Sequence, residues 1–443
     1  MSLYKRNLEI IKDKYPVLYR KVLNTKVDER ENITIKTKSE DYTVRVVNSD
    51  GINNSQNFIH SKYNPRREAK RFANNQLKSR EKTNIIYGFG LGYHIEEILK
   101  LLDNKNKLYV FELNLQIFKL ALKLRDLSKL LLDSRLILIV DNNEKTLASK
   151  MKPLLKENRK FISYSPSVKA IPNQYNKFKF IMENWNLKKN LKIKWEDLMN
   201  ENYKKNIKNK DKDIKDLFNK YNNKPIIIVS AGPSLNKNKH LLKKINKKTF
   251  IFSVGSALKP LLKADIRPDM FCIIDPQDIT YNQIKGFEDL DIPFVYMDTA
   301  SAYTVSKYNG PKYIANSTKE ETDNKTIDSG GSVATAVMDM AIKFGGNPIV
   351  FVGQDLAYTN NKHHADGTMY DKDDVKSLSN MRKIRGQNGE VLDTTLGLLS
   401  FKHWIENKII DNPSVNFINA TEGGAYIEGC KHMRLEEFIY GLL

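Results

Sequence analysis

From Pro225 onward, short apolar runs alternate with stretches whose apolar positions recur every three to four residues, a pattern that predicts repeated strand and helix units. Ile226, Ile227, Ile228 and Val229 follow Pro225. Four consecutive apolar β-formers bounded by a breaker predict a strand buried on both faces of a parallel sheet. The run stops at Ser230-Ala231-Gly232-Pro233-Ser234. Small residues there let backbone approach a ligand, Pro233 cannot extend the sheet, and Ser234 is placed to cap a helix beginning near Leu235. At the carboxyl end of a parallel strand such a turn aims N–H groups and a helix start at one spot, which favours an anion. An ordinary tight βα loop has the same residues. Further strands are predicted at 250–254, 270–274, 294–296 and 348–352, leading into Gly255-Ser256, Asp275-Pro276-Gln277, Asp298 and Gly353-Gln354-Asp355. Asp328-Ser329-Gly330-Gly331-Ser332 introduces an apolar helix over 333–344, again with a capping residue and an anion-tolerant turn. Four polar loops thus gather at the edge where open α/β sheets bind ligands.

The first half has a different beginning. Residues 1–25 carry Leu8, Ile11, Tyr15, Leu18 and Val22 near helical spacing, and 33–47 alternate like a hairpin around a Ser-Glu-Asp turn. The stretch NIIYGFGLGYHIEEIL over 84–99 predicts a strand, a turn with Gly88, Gly90 and Gly92, and a helix. A second strand, LYVFE, ends in Glu112. Glycines followed at that distance by an acid follow the logic of a Rossmann-like nucleotide site, in which the acid accepts ribose hydroxyls. The third glycine comes one residue early for the dinucleotide fingerprint. An S-adenosylmethionine site and a vestigial site on a retained fold are the other readings, the last preferred. Residues 136–140 supply another strand, and 151–220 read mostly as helix with no catalytic motif. The pattern divides the chain into a helix and hairpin cap over 1–60, a Rossmann-like domain over 61–150, a helical linker over 151–220 and a second α/β domain over 221–443.

At 443 residues, two or three domains are expected. The apolar runs are far shorter than the roughly 20 residues of a membrane span, and the N-terminal stretch lacks the apolar core of a signal peptide, so a soluble cytoplasmic protein is expected. Only Cys272 and Cys430 occur, not in a paired metal spacing. The net charge of +21 invites nucleic acid as a partner. We set that reading aside, because lysines are interleaved with asparagine and isoleucine throughout, and the densest segment, 188–220, mixes acids in at helical spacing.

The motifs IIIVSAGPSL (226–235), SVGSALKPLL (253–262), IIDPQ (273–277), IDSGGSVATAVMDMAIKFGGNPIVFVGQDLAYT (327–359) and HHADGT (363–368) resemble the Maf, or motility-associated factor, proteins. The central domain of that family is related to bacterial sialyltransferases and to 6-hydroxymethylpterin diphosphokinases. YGFGLGYH at 87–94 is similar to the Maf amino-terminal domain. The resemblance implies an α/β protein of two Rossmann-like domains, an N-terminal GxGxG domain and a C-terminal sialyltransferase-like domain, joined by a helical linker. It implies transfer of a pseudaminic- or legionaminic-type nonulosonic acid from its CMP-activated form to serine or threonine hydroxyls of flagellin, with no tightly bound cofactor. By the same similarity Gly232, Pro233 and Ser234, with Ser230, cradle the CMP portion; Gly255, Ser256 and Asp275 hold nucleotide and sugar; Ser329 and Gly330 seat the donor; and Asp355 is the acid ending the next strand. The chain departs from the sialyltransferase pattern at Ala231, Gly255, Asp275 and Thr326.

The chemistry adds candidates. Departure of CMP builds negative charge on phosphate, so donors should converge there, and Tyr358, three residues after Asp355, is one; packing within the loop is its other reading. The acceptor hydroxyl loses a proton as it attacks, and His363 or His364 is the expected base, a solvated turn being the alternative. The histidine pair lacks a definite third ligand, so no metal is expected. Glu422, Gly423 and Gly424 are read as a rim loop, and His432 as structural. Three other functions compete: a pterin diphosphokinase, an S-adenosylmethionine-dependent methyltransferase using Gly88 to Glu112, and a noncatalytic flagellin-binding chaperone.

Overall fold

In a computed structural model the described residues are 1–49, 54–77, 83–156, 160–245, 248–317, 326–359, 362, 364–368 and 381–441. The chain forms two compact units, Met1–Asn186 and Leu187–Leu443.

The first unit opens with two helices, Leu3–Lys14 and Pro16–Asn24. The single helix expected over 1–25 is interrupted because Pro16, with no N–H to donate, starts the second helix instead of continuing the first. Three antiparallel strands follow, β1 (Asn32–Lys36), β2 (Tyr42–Ser49) and β3 (Asn54–Phe58). The third strand was not legible: NSQNF carries no apolar alternation. Then comes a parallel sheet of β4 (Thr83–Tyr87), β5 (Lys107–Glu112), β6 (Leu136–Val140) and β7 (Lys160–Ser163), in the order β6-β5-β4-β7. Strand β7 lies beyond the boundary expected at 150 and inside a stretch read as helix; it adds beside β4, on the side away from β5. The sheet separates two cores, with Ile86 among one set of apolar side chains and its neighbours Ile85 and Tyr87 among the other. Within the stretch over 151–220 read mostly as helix, the long helix is Asn176–Asn206.

The second unit is built on nine parallel strands: β8 (Lys212–Asp213), β9 (Ile226–Val229), β10 (Phe250–Val254), β11 (Met270–Ile273), β12 (Phe294–Met297), β13 (Lys312–Ala315), β14 (Ile349–Val352), and, beyond a separate hairpin of β15 (Arg382–Arg385) and β16 (Val391–Thr394), β17 (Phe417–Asn419) and β18 (Lys431–His432). Their order is β18-β17-β14-β9-β10-β11-β12-β13-β8. All four residues of β9 are buried, Ile226 and Ile228 on one face and Ile227 and Val229 on the other, as a strand covered on both sides requires. The chain lays β10 to β13 outward on one side of β9, then returns to place β14 on the other. This reversal leaves a crevice between the carboxyl ends of β9 and β14, where ligands of open α/β sheets bind.

Candidate active site

A cavity of about 310 Å³ lies at that reversal. The strand ends supply Ser230, Ala231 and Gly232 from β9, Ser256 after β10, Asp275 after β11, and Gly353, Gln354 and Asp355 after β14. Gly331, Ser332, Val333 and Ala334 form another wall, with Leu398 and Phe401 from the helix Leu396–Asp411, and His364 completes the lining. Of the expected site residues, the cavity therefore brings together Ser230, Gly232, Ser256, Asp275, Asp355 and His364. Pro233, Ser234, Gly255, Ser329, Gly330 and Tyr358 are not in its wall. His363 lies outside the described residues. Gln283, Gln354, Leu398 and Phe401 were not among the expected site residues; the last two belong to a helix distant in sequence from any glycine turn.

The turn after β9 differs from its expected form. Its helix is only Leu235–Asn238, and Ser234 makes no cap with its side chain. The Ser234 hydroxyl donates instead to Asp355 Oδ2 at 2.6 Å, and the Ser234 amide lies 3.3 Å from each carboxylate oxygen. The Gly232 amide is also used within the protein, by the carbonyl of Gly353. A Cβ on Gly232 would sit 2.0 Å from Asp355 Oδ2, so glycine is needed there to admit the carboxylate rather than a ligand. The cause is burial: Asp355 is 3% exposed and must find its partners inside the fold. Burial raises its pKa to about 6, partly opposed by the Ser234 and Thr359 hydrogen bonds. Gly255 likewise faces inward, toward the Gln283 carboxamide.

A helix start with open amides, expected after both turns, is present at the second. Ser329 to Ser332 leads into the 11-residue helix Val333–Lys343, and Ser332 and Thr335 form a reciprocal capping box. The Ser332 hydroxyl satisfies the Thr335 amide. Among the described residues no acceptor meets the amides of Val333 and Ala334, and both residues line the cavity. A helix of this length, with a partial positive charge at its start, favours a negatively charged group there. Ser329 stands behind this turn, its carbonyl accepting from Thr335 Oγ1, and Gly330 packs on the Trp404 ring.

Asp275 opens on the cavity, and desolvation by the surrounding walls, not a neighbouring charge, pushes its carboxyl above the ordinary aspartate value. Gln283 is 6% exposed, and its Oε1 has no hydrogen-bond partner among the described residues. Tyr358 is held away from the lining by pairing with the hairpin, its amide donating to the Asp393 carbonyl; burial raises its hydroxyl pKa. Among the described residues no three His, Cys, Asp or Glu side chains gather to hold a metal ion. Glu422 accepts from Asn238 and from the Leu435 amide, and Gly424 lies against the Asp355 backbone, so this loop braces the acid from behind. His432 donates from Nε2 to the Ile427 carbonyl at 2.9 Å, and its ring stacks on Tyr426.

The glycine turn of the first unit is filled by the protein itself. Glu112, 1% exposed, accepts from the amides of Phe89 and Asn114, each at 2.9 Å, and Gly90 at 3.4 Å. Its oxygens are engaged by these backbone amides, as in a retained fold with a vestigial site, and are not open to a ribose. Here the sheet reverses between β4 and β7, and Tyr164, the residue after β7, occupies that position, its amide bonded to the Tyr87 carbonyl. A Cβ on Gly88, whose φ is +107°, would meet Ser167 Cβ at 2.5 Å; one on Gly90 would meet His60 Nε2 at 2.9 Å. The Leu91 amide donates to His60 Nε2, so His60 Nδ1 carries the proton toward the Tyr164 oxygen, 2.8 Å away, and the Tyr164 hydroxyl donates to Ile59 or Glu68. His94 stacks on Tyr164 at 3.8 Å and donates from Nε2 to the Gly88 carbonyl. Gly92 starts the helix Tyr93–Leu101. A separate polar cavity of about 390 Å³ near the ends of β5 and β6 includes Lys21, which is paired with Asp141.

Comparison with known proteins follows these two units. The Glycosyltransferase Maf N-terminal domain model matches residues 37–165, and the 6-hydroxymethylpterin diphosphokinase MptE-like model matches 199–361. These matches give the chain a Maf-type N-terminal glycosyltransferase domain and an MptE-like domain. The solved structure of a Maf glycosyltransferase from Magnetospirillum magneticum AMB-1 is similar in fold, with a TM-score of 0.52 and 16% identity over 97% of this chain and 74% of that one. No curated protein matches. The Maf N-terminal match spans the filled glycine turn, and the MptE-like match spans β9 to β14, including most of the cavity wall.

Proposed function

We propose that this Maf protein transfers a nonulosonic acid of the pseudaminic or legionaminic type from a CMP-activated donor to serine or threonine hydroxyls of flagellin. The observation that carries the reading is the cavity at the β9–β14 reversal, where the unpaired amides of Val333 and Ala334 meet the polar strand ends. The donor phosphate is placed at that helix start, and Phe401 and Leu398 offer an apolar wall to the base or sugar. As the acceptor oxygen bonds to the anomeric carbon, the bond from that carbon to the phosphate oxygen breaks. Its electron pair leaves with CMP, and helix-start dipoles stabilise the charge that builds there. The acceptor proton goes to Asp275 or His364, both in the wall. Asp355, already hydrogen-bonded by Ser234, positions the β9 turn and does not act as the base.

No helix among the described residues is long and apolar enough to cross a membrane, and the reaction is assigned to the cytoplasm, with flagellin as acceptor. The test is the intact mass of flagellin coexpressed with this protein and a complete CMP-nonulosonate pathway. A protein-dependent increment of one or more nonulosonic acids is expected, lost in Asp275→Asn or His364→Ala according to which is the base. Unmodified flagellin beside confirmed donor would overturn the reading. The MptE-like match favours a second one, diphosphate transfer to a pterin, which an assay with ATP and 6-hydroxymethylpterin separates from the first.

A further inference from the structure

Gln354 stands at the reversal of the sheet with no role yet assigned to its side chain. It is the second residue past β14, and Ser230 is the first past the adjacent β9. The Ser230 hydroxyl donates to Gln354 Oε1 at 2.6 Å, so a single hydrogen bond spans the crevice between the two strands. The Gln354 backbone N–H donates to Thr421 Oγ1 at 3.1 Å, which fixes the main chain at this residue. Gln354 is 6% exposed and lines the cavity. With its oxygen engaged by Ser230, the carboxamide has two Nε2 protons to donate, and none of the described residues accepts them. A donor pair that opens on the cavity wall, with no acceptor among the described residues, is free to meet an acceptor from a ligand.

The charges around it narrow the class of that acceptor. Among the described residues, the lining includes the carboxylates of Asp275 and Asp355 and no lysine or arginine. Among the described lining residues an anionic ligand meets neutral dipoles, of which the Val333 and Ala334 amides supply one set and the Gln354 carboxamide the other.

We propose that Gln354, oriented by Ser230 across the β9–β14 crevice, donates its carboxamide N–H groups to the phosphate of the nucleotide donor. Ser230 is a positioning residue in this scheme. The proposal rests on the CMP-donor reading above and adds which side chain selects the phosphorylated ligand.

The test is calorimetric titration of the full chain with CMP and with cytidine, which lacks the phosphate, for wild type, Gln354→Met, Ser230→Ala and the double variant. Wild type is expected to bind CMP at least tenfold more tightly than cytidine. Gln354→Met should lower that ratio about tenfold. Ser230→Ala alone should lower it about threefold, and should change it no further once Gln354 is methionine, because its action passes through the carboxamide. Gln354→Asn, which keeps the donors on a shorter stem, should fall between wild type and methionine. Equal loss for both ligands in Gln354→Met would overturn the phosphate contact while leaving the CMP site standing. Wild type binding neither ligand would overturn the donor reading and this proposal with it.

Discussion

In the first unit β4 runs into Gly88-Phe89-Gly90, and the sheet reverses beside it at Tyr164. In the second, β9 runs into Ser230-Ala231-Gly232, and the sheet reverses beside it at Gly353-Gln354. The two crevices are alike in topology and differ in what enters them. His60 and Tyr164 carry rings into the first, and Glu112 turns back onto the amides that a ligand would use. At the second, the strand ends bring small residues and the Gln354 carboxamide, Gln283 and Phe401 stand in the surrounding wall, and Asp355 fills the space behind Gly232. A glycine turn thus provides backbone that can be approached closely; whether a ligand or a side chain approaches it is decided by residues far away in the chain.

The comparison breaks most sharply if the open crevice is closed. Ala334→Phe places a ring into the cavity from the first turn of the helix Val333–Lys343, imitating Tyr164. Transfer to flagellin should fall by about 100-fold or more, near the loss seen when key transition-state donors are removed, with the thermal midpoint little changed; near-normal transfer would place the donor elsewhere. The converse change, Tyr164→Ala, removes the ring that fills the first crevice and should destabilise that unit by about 3–5 kcal/mol in chemical denaturation. Wild type should show no saturable binding of S-adenosylmethionine, and saturable binding would sink the view that this crevice is filled. A smaller pair of effects separates the two kinds of glycine. Gly232→Ala forces Asp355 out of its seat against Gly232, and Gly88→Ala drives a Cβ toward Ser167 in a left-handed conformation. Each should cost roughly 1–3 kcal/mol, but only Gly232→Ala should also impair transfer measured on folded protein.

Much of this was legible before any coordinates. Runs such as Ile226 to Val229 and LYVFE over 108–112 announced strands because burial on both faces demands unbroken apolar residues. The gathering of strand ends at one edge followed from the βα order alone. The direction in which each polar side chain turned was not legible. Ser234 has the composition of a helix cap, yet a carboxylate 121 positions away takes its hydroxyl. Glu112 stands at a ribose-binding spacing, yet the nearest donors are the amides of its own glycine turn. In both cases a buried acid found the closest N–H or O–H, and that partner depended on tertiary proximity. Gln354 stands inside the Gly353-Gln354-Asp355 loop and Phe401 outside every quoted motif, and the part each side chain takes in the site depends on the placement of its strand end or helix.

The smallest expected effect separates the two units by pH. Burial lowers the pKa of His60 and, further, of His94, so the folded first unit binds fewer protons than the unfolded chain below the ordinary histidine value of about 6.5. Stability from these rings is present above that value and is lost as pH falls toward their folded pKa values. Asp355 works in the opposite sense: its folded pKa of about 6 lies above the ordinary aspartate value, so its burial costs stability above pH 6, and that cost is relieved on acidification. Glu112, raised by burial within the first unit, opposes its histidines. The histidine part is therefore read as the difference between wild type and His94→Gln. Hydrogen exchange followed by mass spectrometry from pH 7 to 5, corrected for intrinsic rates, should show β4 and β5 losing protection while β9 and β14 hold or gain it. His94→Gln should flatten the loss in the first unit and leave the second unchanged. Equal loss in both units would mean that the buried histidines and Asp355 do not set their opposite responses to acid.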